Sequence, residues 1–514
     1  MLETAPSLPP DLPGDSAPGF SSAVAKRAAR NATALALSAV AAKGLMFAWQ
    51  LILARWLGSE GYGVYGTIGA LLAVGAAIPE FGMGMIVVRD VAQRPADAAR
   101  YLGATLSMQP LLAGAGYAVL MLAAVLLGYD AEIRGLLAFA AINLLIDALG
   151  NMCHNQLLAA ERMVIPAIIS TVHVVALVIL AGTALALGGG LWGLYIGTLI
   201  AGLLRTGAYW VVLLRAGTRP AFPVDRAVAW GLLVNGAPIA LTSFLALAYT
   251  HTDKLITTAL IGAEGTGQLT AGFVIVFGVI ELLSTTVLVA VFPMMSRAYA
   301  DRMRAMFEFM IEKLSFFTLV ISLPIGIFTS LLAVPLAALL FGAEYTRTAD
   351  VLRILIWYTV ATMVANVFAQ ALLIQNRQRR TLAIRSTGLA INISLNLILL
   401  PRMGVPGAAV ASLAAECIVL ALMVRSFTFP AGWWANVTRR LVRLAAMGAV
   451  VAGIVLALRG VHPLLAAGAG APMYVGLALV SGAIAKDDWD LIYRLAIAMP
   501  GGAIIGRYWR RQLG

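Results

Sequence analysis

A chain of 514 residues that is 61% hydrophobic, only 12% charged and of mean hydropathy +0.90 lacks the polar surface of a soluble domain, which is about 25% charged. Apolar runs of about 20 residues recur from end to end without strand-like alternation, which excludes an outer-membrane barrel and leaves an all-α, polytopic membrane protein. Its net charge of +12 matches the Lys and Arg excess of cytoplasmic loops, so no nucleic-acid partner is expected.

In chain order, Pro6, Pro9, Pro10, Pro13 and Pro18 crowd a start that has no signal-peptide core. Residues 1–30 are therefore expected to be a disordered cytoplasmic tail, with Lys26, Arg27 and Arg30 holding it inside. About fourteen helices follow, near 31–54, 63–88, 102–127, 135–158, 164–187, 191–214, 230–260, 267–295, 314–340, 351–374, 381–400, 405–424, 441–458 and 469–485. Residues 31–214 form an N-lobe of six helices and 230–424 a C-lobe of six. Helices over 441–485 lie outside the repeat, and 486–514 reads as a cytoplasmic interfacial tail ending Arg507-Tyr508-Trp509-Arg510-Arg511.

Even-numbered helices end among Arg89, Arg94, Arg162, Arg215, Arg219 and many more. Odd-numbered ones end near only Arg55, Arg134, Arg347, Arg353, Arg402 and Arg459. That bias, roughly four to one, places both termini in the cytoplasm.

Three echoes reveal a duplication. Leu57-Gly58-Ser59-Glu60-Gly61-Tyr62-Gly63 returns as Ile261-Gly262-Ala263-Glu264-Gly265-Thr266-Gly267, about 204 residues later. Gly190-x-x-Gly193 returns as Gly404-x-x-Gly407, and Leu157-Leu158-x-x-x-Arg162 as Leu372-Leu373-x-x-x-Arg377, at shifts of about 214 and 215. Six helices per repeat return the chain to its starting side, so the two lobes are parallel.

These motifs resemble the Wzx-like polysaccharide transporter family. Ala54-Arg55-Trp56 through Val64-Tyr65, Phe81-Gly82-Met83 and Asp253-Lys254 through Gly267 carry the likeness. So do Phe292-Pro293-x-x-Ser296, Leu340-Phe341-Gly342-x-Glu344-Tyr345, Asn392-x-x-x-Asn396 and Pro401-x-x-Gly404-x-x-Gly407. The resemblance spans about residues 31–425. It implies the fold of the multidrug, oligosaccharidyl-lipid and polysaccharide exporter superfamily, with two lobes around a central cavity worked by alternating access. It also implies a flippase in the bacterial inner membrane that moves polyprenyl-diphosphate-linked oligosaccharide to the periplasmic leaflet. The product would be cell-surface polysaccharide such as O-antigen or exopolysaccharide, and a polysaccharide polymerase is a candidate partner.

Charge inside the membrane costs about 2.5–3.5 kcal/mol at a helix centre, so each such residue needs a partner, a cavity or a function. Arg205, Lys43 and Lys254 are the candidate substrate-binding residues, because guanidinium and ammonium groups in a wet cavity replace the hydration of a diphosphate. Salt bridges between helices are the competing reading. Arg385, close to a predicted helix end, is expected to snorkel to the surface. Asp147, Glu281, Asp253 and Glu416 are candidates for proton or sodium coupling, or equally partners for those cations; Glu80, His173 and His251 add titratable groups. Adjacent helical residues diverge by about 100°, so Asp253 and Lys254 cannot both face the cavity squarely.

Cys153, Cys417 and four scattered histidines make no disulfide framework or metal-ligand spacing. With no catalytic constellation or nucleotide loop either, no enzyme, metal or cofactor is expected. A cation-coupled drug exporter and a peptidoglycan-precursor flippase of the same superfamily stay open as alternatives. A membrane glycosyltransferase or polymerase is the alternative of another class.

Overall fold

The computed structural model describes residues 22–281, 283, 286–429, 433–459, 470, 472–474 and 476–478. The N-lobe runs through α1 (Ser22–Gly75), α2 (Ala77–Glu80), α3 (Met83–Gln93), α4 (Ala98–Leu126), α5 (Ala131–Ala140), α6 (Asn143–Ala159), α7 (Val164–Ala186) and α8 (Gly190–Arg215). The C-lobe follows as α9 (Arg226–Ile261), α10 (Ala263–Ile280), α11 (Thr286–Ala300), α12 (Arg304–Leu331), α13 (Ala333–Phe341), α14 (Thr346–Ile374), α15 (Gln378–Met403) and α16 (Val405–Val424). A further helix, α17 (Trp433–Arg459), packs on α12. No strand occurs among the described residues.

Among the described residues, twelve segments are long and apolar enough to cross a membrane. The first, Ala42–Gln93, has 52 residues, far beyond the ~20 that span a bilayer. Gly58 breaks it with φ 66 and ψ 179, so it comprises two of the expected spans. Thirteen of the expected helices thus have a counterpart. The fourteenth lies in large part outside the described residues, and the interfacial tail over 486–514 and residues 1–21 lie wholly outside them. Residues 22–30, expected in the disordered tail, instead open α1. No proline follows Pro18 there, and Ala, Lys and Arg are strong helix formers.

Each echo of the repeat is a matched piece of backbone. Gly262 takes φ 100 and ψ 178 at the end of α9, where Gly58 breaks α1. Glu161 and Asn376, both at φ near 57, close α6 and α14 with the same cap: Arg162 N–H donates to Leu157 O at 3.0 Å and Arg377 N–H to Leu372 O at 2.9 Å. Gly190 and Gly404, also at positive φ, open α8 and α16. Three residues on, Gly193 and Gly407 let these helices lie against the backbones of Ala184 and Leu399.

At the end towards the arginine-poor loops, which the charge bias expects to face outwards and which is called the outer end, the lobes close on each other. Tyr345 Oη donates to Ala54 O at 2.8 Å and Gly58 O at 3.0 Å, Arg55 donates to the Leu339 and Leu340 carbonyls, and Tyr129 Oη donates to Leu255 O at 2.9 Å. One apolar core continues through this contact, from Leu53, Tyr62 and Ile68 to Phe273, Leu352 and Tyr345.

The long helix α9 does not belong to one lobe. Its inner half lies on the N-lobe, where Gly236 meets the Phe81 backbone and Leu232 joins the core of Met83, Ile86 and Val87. Its outer half bonds to α15 and α16. Hydropathy sets a helix's length but not its neighbours, so the expected assignment of 230–260 to the C-lobe captures half of its packing.

Candidate functional site

The charged residues singled out in the sequence sort into five groups. Lys254, on α9, lines a cavity of about 310 Å³ between the lobes, walled by Gln50 and Tyr65 of α1 and by Phe273 and Phe277 of α10. Its ammonium lies 5.8 Å from the Phe273 ring centre and has no hydrogen-bond or ion-pair partner among the described residues. The polar wall is prepared: Tyr62 Oη donates to Gln50 Oε1 at 2.9 Å, and Gln50 Nε2 donates to Tyr65 Oη at 3.3 Å. His251, one turn before Lys254, lines the same space.

Asp253 points the other way. Its carboxylate is buried and accepts from Asn392 Nδ2 at 2.9 Å, Asn396 Nδ2 at 2.6 Å and Ser412 Oγ at 2.8 Å, and no cation touches it among the described residues. Asn396 Oδ1, beside it, is buried without a hydrogen bond. The familial Asn-x-x-x-Asn pair thus serves Asp253, because residues four apart share a helix face.

Lys43 and Glu281 form an ion pair between α1 and the end of α10, with side chains 61% and 50% exposed. Met46, Phe47 and Gln50, one and two turns on from Lys43, line the Lys254 cavity, so this pair sits at its inner mouth. Glu281, a coupling candidate, is therefore engaged by a cation.

Arg205 is a correction to the expected shared cavity. It pairs with Asp147 across α8 and α6 at 2.7 Å, inside the N-lobe, and does not line the space that Lys254 lines. The Arg205 side chain is 17% exposed and its Nε is buried without a partner among the described residues, whereas the Asp147 side chain is 50% exposed. Asp147 also lines a small N-lobe cavity of about 60 Å³ with Glu80, Asn151 and Asn155. Depth along a helix was legible, but which way around its axis Arg205 points was not.

Arg385 is the second correction. Instead of snorkelling, it reaches fully buried Glu416 with Nη1 at 3.2 Å from both carboxylate oxygens. Tyr249 Oη donates to the same carboxylate at 2.5 Å, and the guanidinium stacks 5.4 Å from the Tyr249 ring. Arg385, Tyr249 and Asn366 line a C-lobe cavity of about 520 Å³, and Phe277 belongs to the walls of both this cavity and the Lys254 cavity. Two cations thus border adjoining chambers. A buried Glu416 on α16 was the signal for Arg385, since such an acid needs a cation from a facing helix.

The sequence pattern of the family described as "Polysaccharide biosynthesis protein" matches residues 52–350, more than half of the chain. The chain belongs to that family. This agrees with its resemblance to Wzx-like polysaccharide transporters. No curated protein sequence matches this polysaccharide biosynthesis protein. Among solved structures it is similar to "Lipid II flippase MurJ, inward closed conformation", with a TM-score of 0.74 at 15% identity, over 89% of this chain and 99% of that one. It is also similar to an inward-facing multidrug resistance transporter of the MOP superfamily, with a TM-score of 0.60 at 16% identity, over 74% and 92%. A superfamily transporter from Pyrococcus furiosus, described as having a binding pocket of reverse polarity, gives a TM-score of 0.51 at 16% identity, over 78% and 94%. The polysaccharide biosynthesis protein is therefore a multi-pass membrane protein with the fold of this transporter superfamily.

Proposed function

We propose that this protein flips a polyprenyl-diphosphate-linked oligosaccharide between membrane leaflets, from the cytoplasmic to the periplasmic side, for cell-surface polysaccharide synthesis. The observation that carries this reading is the Lys254 ammonium in the cavity between the lobes, which has no hydrogen-bond or ion-pair partner among the described residues. An ammonium in a low-dielectric cavity with no hydrogen-bonded anion among the described residues favours an anionic ligand, and the diphosphate is the part of such a substrate that hydrocarbon excludes most strongly. Lys43 at the inner mouth and Arg385 in the adjoining chamber stand beside this ammonium, each balanced by its own acid, Glu281 and Glu416. Arg205 supports the N-lobe through Asp147, with its free Nε available to a further acceptor.

Of the four coupling candidates, Asp253 is the one whose described partners are all neutral. Its carboxylate, the orphaned Asn396 oxygen and the Ser412 hydroxyl suit a proton or a small cation such as sodium. Asp147, Glu281 and Glu416 are held by Arg205, Lys43 and Arg385 and serve first as counter-charges.

A peptidoglycan precursor is the second reading, favoured by the fold shared with a lipid II flippase. A cation in the cavity suits it equally. Reconstituted protein in vesicles carrying labelled polyprenyl-diphosphate oligosaccharide, or labelled lipid II, tests both. Wild-type protein should expose the first to an impermeant quencher or enzyme, and Lys254→Gln should slow exposure by at least about tenfold. Movement of lipid II alone would replace the first reading by the second. Unchanged transport in Lys254→Gln would remove Lys254 from the site.

A further inference from the structure

At the inner ends of α11, α12, α14, α15 and α16 lies a crevice of about 980 Å³, separate from the chambers between and within the lobes. Arg302, Arg304, Arg377, Arg380 and Arg425 line it, and Glu308 is the one carboxylate among its lining residues. Arg304 takes that carboxylate, with Nε 2.7 Å from Glu308 Oε1. The side chains of Arg302, Arg380 and Arg425 have no hydrogen-bond or ion-pair partner among the described residues.

The arginines stand on fixed turns. Arg302, at φ 57, closes α11 through its N–H to Tyr299 O at 3.1 Å and the Met303 N–H to Ala298 O at 3.0 Å. Arg377 follows the Asn376 cap and donates from Nη1 to Ser426 O at 3.3 Å, which ties the end of α14 to the end of α16. Arg304 Nη2 reaches Thr428 Oγ1 at 3.3 Å, which ties in the start of α12. Phe307 and Phe427 supply apolar lining, the latter packed on Phe368 with ring centres 5.6 Å apart.

Retention of arginine on the cytoplasmic side requires only a number of charges near helix ends. It does not require five guanidiniums from three separate turns around one concavity. Their mutual repulsion is relieved by an anion, and guanidinium forks match the oxygens of a phosphate. We infer that this crevice is a binding site for a phosphate-bearing anion at the inner membrane surface, supplied by an anionic lipid headgroup or by a soluble diphosphate. The inference stands apart from the transport reading, because the Lys254 chamber contributes nothing to it.

The test uses full-length protein reconstituted in neutral-lipid nanodiscs. Binding is read by native mass spectrometry after adding phosphatidylglycerol in one arm and inorganic diphosphate in the other. A triple variant, Arg302→Gln, Arg380→Gln and Arg425→Gln, is compared with an equally charged control, Arg162→Gln, Arg215→Gln and Arg219→Gln. We expect the first to lose at least about tenfold in retention of the ligand while the control keeps it. Whichever arm binds names the source. Phenylglyoxal modification of wild-type protein, mapped by peptide mass, is a second measurement that needs no variant: the ligand should protect Arg302, Arg380 and Arg425 but not Arg215 or Arg219. Equal loss in both triples, binding in neither arm, or protection spread evenly over all arginines would overturn the inference.

Discussion

Gly63 and Gly267 interlock across the two lobes. A methyl group at Gly63 would overlap the Ala263 carbonyl, and one at Gly267 would overlap the Ser59 carbonyl. The last glycine of each copy of the duplicated signature thus admits the backbone of the other copy. A pseudo-two-fold axis between the lobes makes the contact reciprocal, and Thr67 Oγ1, 2.5 Å from Thr258 Oγ1, joins the same seam.

Gly63→Ala and Gly267→Ala should each push α1 and α10 apart and destabilise the outer closure by about 1–3 kcal/mol, because rigid backbone cannot yield as a side chain would. Gly114→Ala, with nothing within 4 Å, should change stability by less than about 0.5 kcal/mol. Thermal unfolding in detergent measures both, and cysteine accessibility at Ser59 from the outer face should rise in the first two variants alone.

Arg205 and Asp147 should behave as a coupled pair. Arg205→Ala and Asp147→Ala are each expected to lower stability, while the double variant loses less than their sum. The coupling should stay below the ~3–5 kcal/mol of a fully buried pair, since Asp147 is half exposed. A double-mutant cycle of unfolding free energies that shows strict additivity would remove the pair as a structural element.

Asp253→Ala should strand the buried Asn392 Nδ2 donor, at about 1–3 kcal/mol, while Asn396 and Ser412 keep acceptors at Asn392 O and Ala408 O. Asp253→Asn keeps the shape but not the charge. It should fold better than the alanine variant and lose any dependence of transport on a sodium or proton gradient, read in vesicles with imposed gradients. Gradient dependence equal to wild type would assign coupling to another residue.

The loop before α9 makes a prediction about acid. Asp225 caps α9 by accepting from Ala227 and Val228, and the Arg100 guanidinium at 2.5 Å holds its carboxyl below the usual carboxylate range. A depressed folded-state value stabilises above the unfolded value, about 3.9, and that stabilisation is lost as pH falls through the lower folded value. Asp225→Asn should therefore lower stability at neutral pH and flatten its decline below about pH 4, followed by thermal unfolding at a series of pH values.

Much of this was legible because the sequence marks backbone. Gly58, Gly262, Gly190 and Gly404 must be glycine or pay heavily in strain at positive φ, so the duplication survives at those positions where apolar side chains have diverged. The Leu-Leu-x-x-x-Arg echo was legible for the same reason: it spans a helix cap. Charge placement was half legible. That Asp253 and Lys254 part company follows from the helical angle, and the structure sends one to α15 and the other to the cavity. Arg385 was misread because α15 begins at Gln378, which puts it about two turns from the end, too deep for easy escape to water. Arg205 and Lys43 needed their partners' azimuths, and linear periodicity in a uniformly apolar helix carries little of that.

The divided loyalty of α9 bears on how the protein is made. Ribosomal synthesis delivers the first six spans before α9 exists, and domains that emerge first begin to fold first. Until residues near Leu232 and Gly236 enter the bilayer, the Phe81 turn and the Met83, Ile86 and Val87 core have no seventh helix to cover them. The first half of the duplication is thus not a self-sufficient unit. Its completion waits on the opening helix of the second half, so the nascent chain must thread that helix back onto its predecessor before the two lobes can become separate bodies.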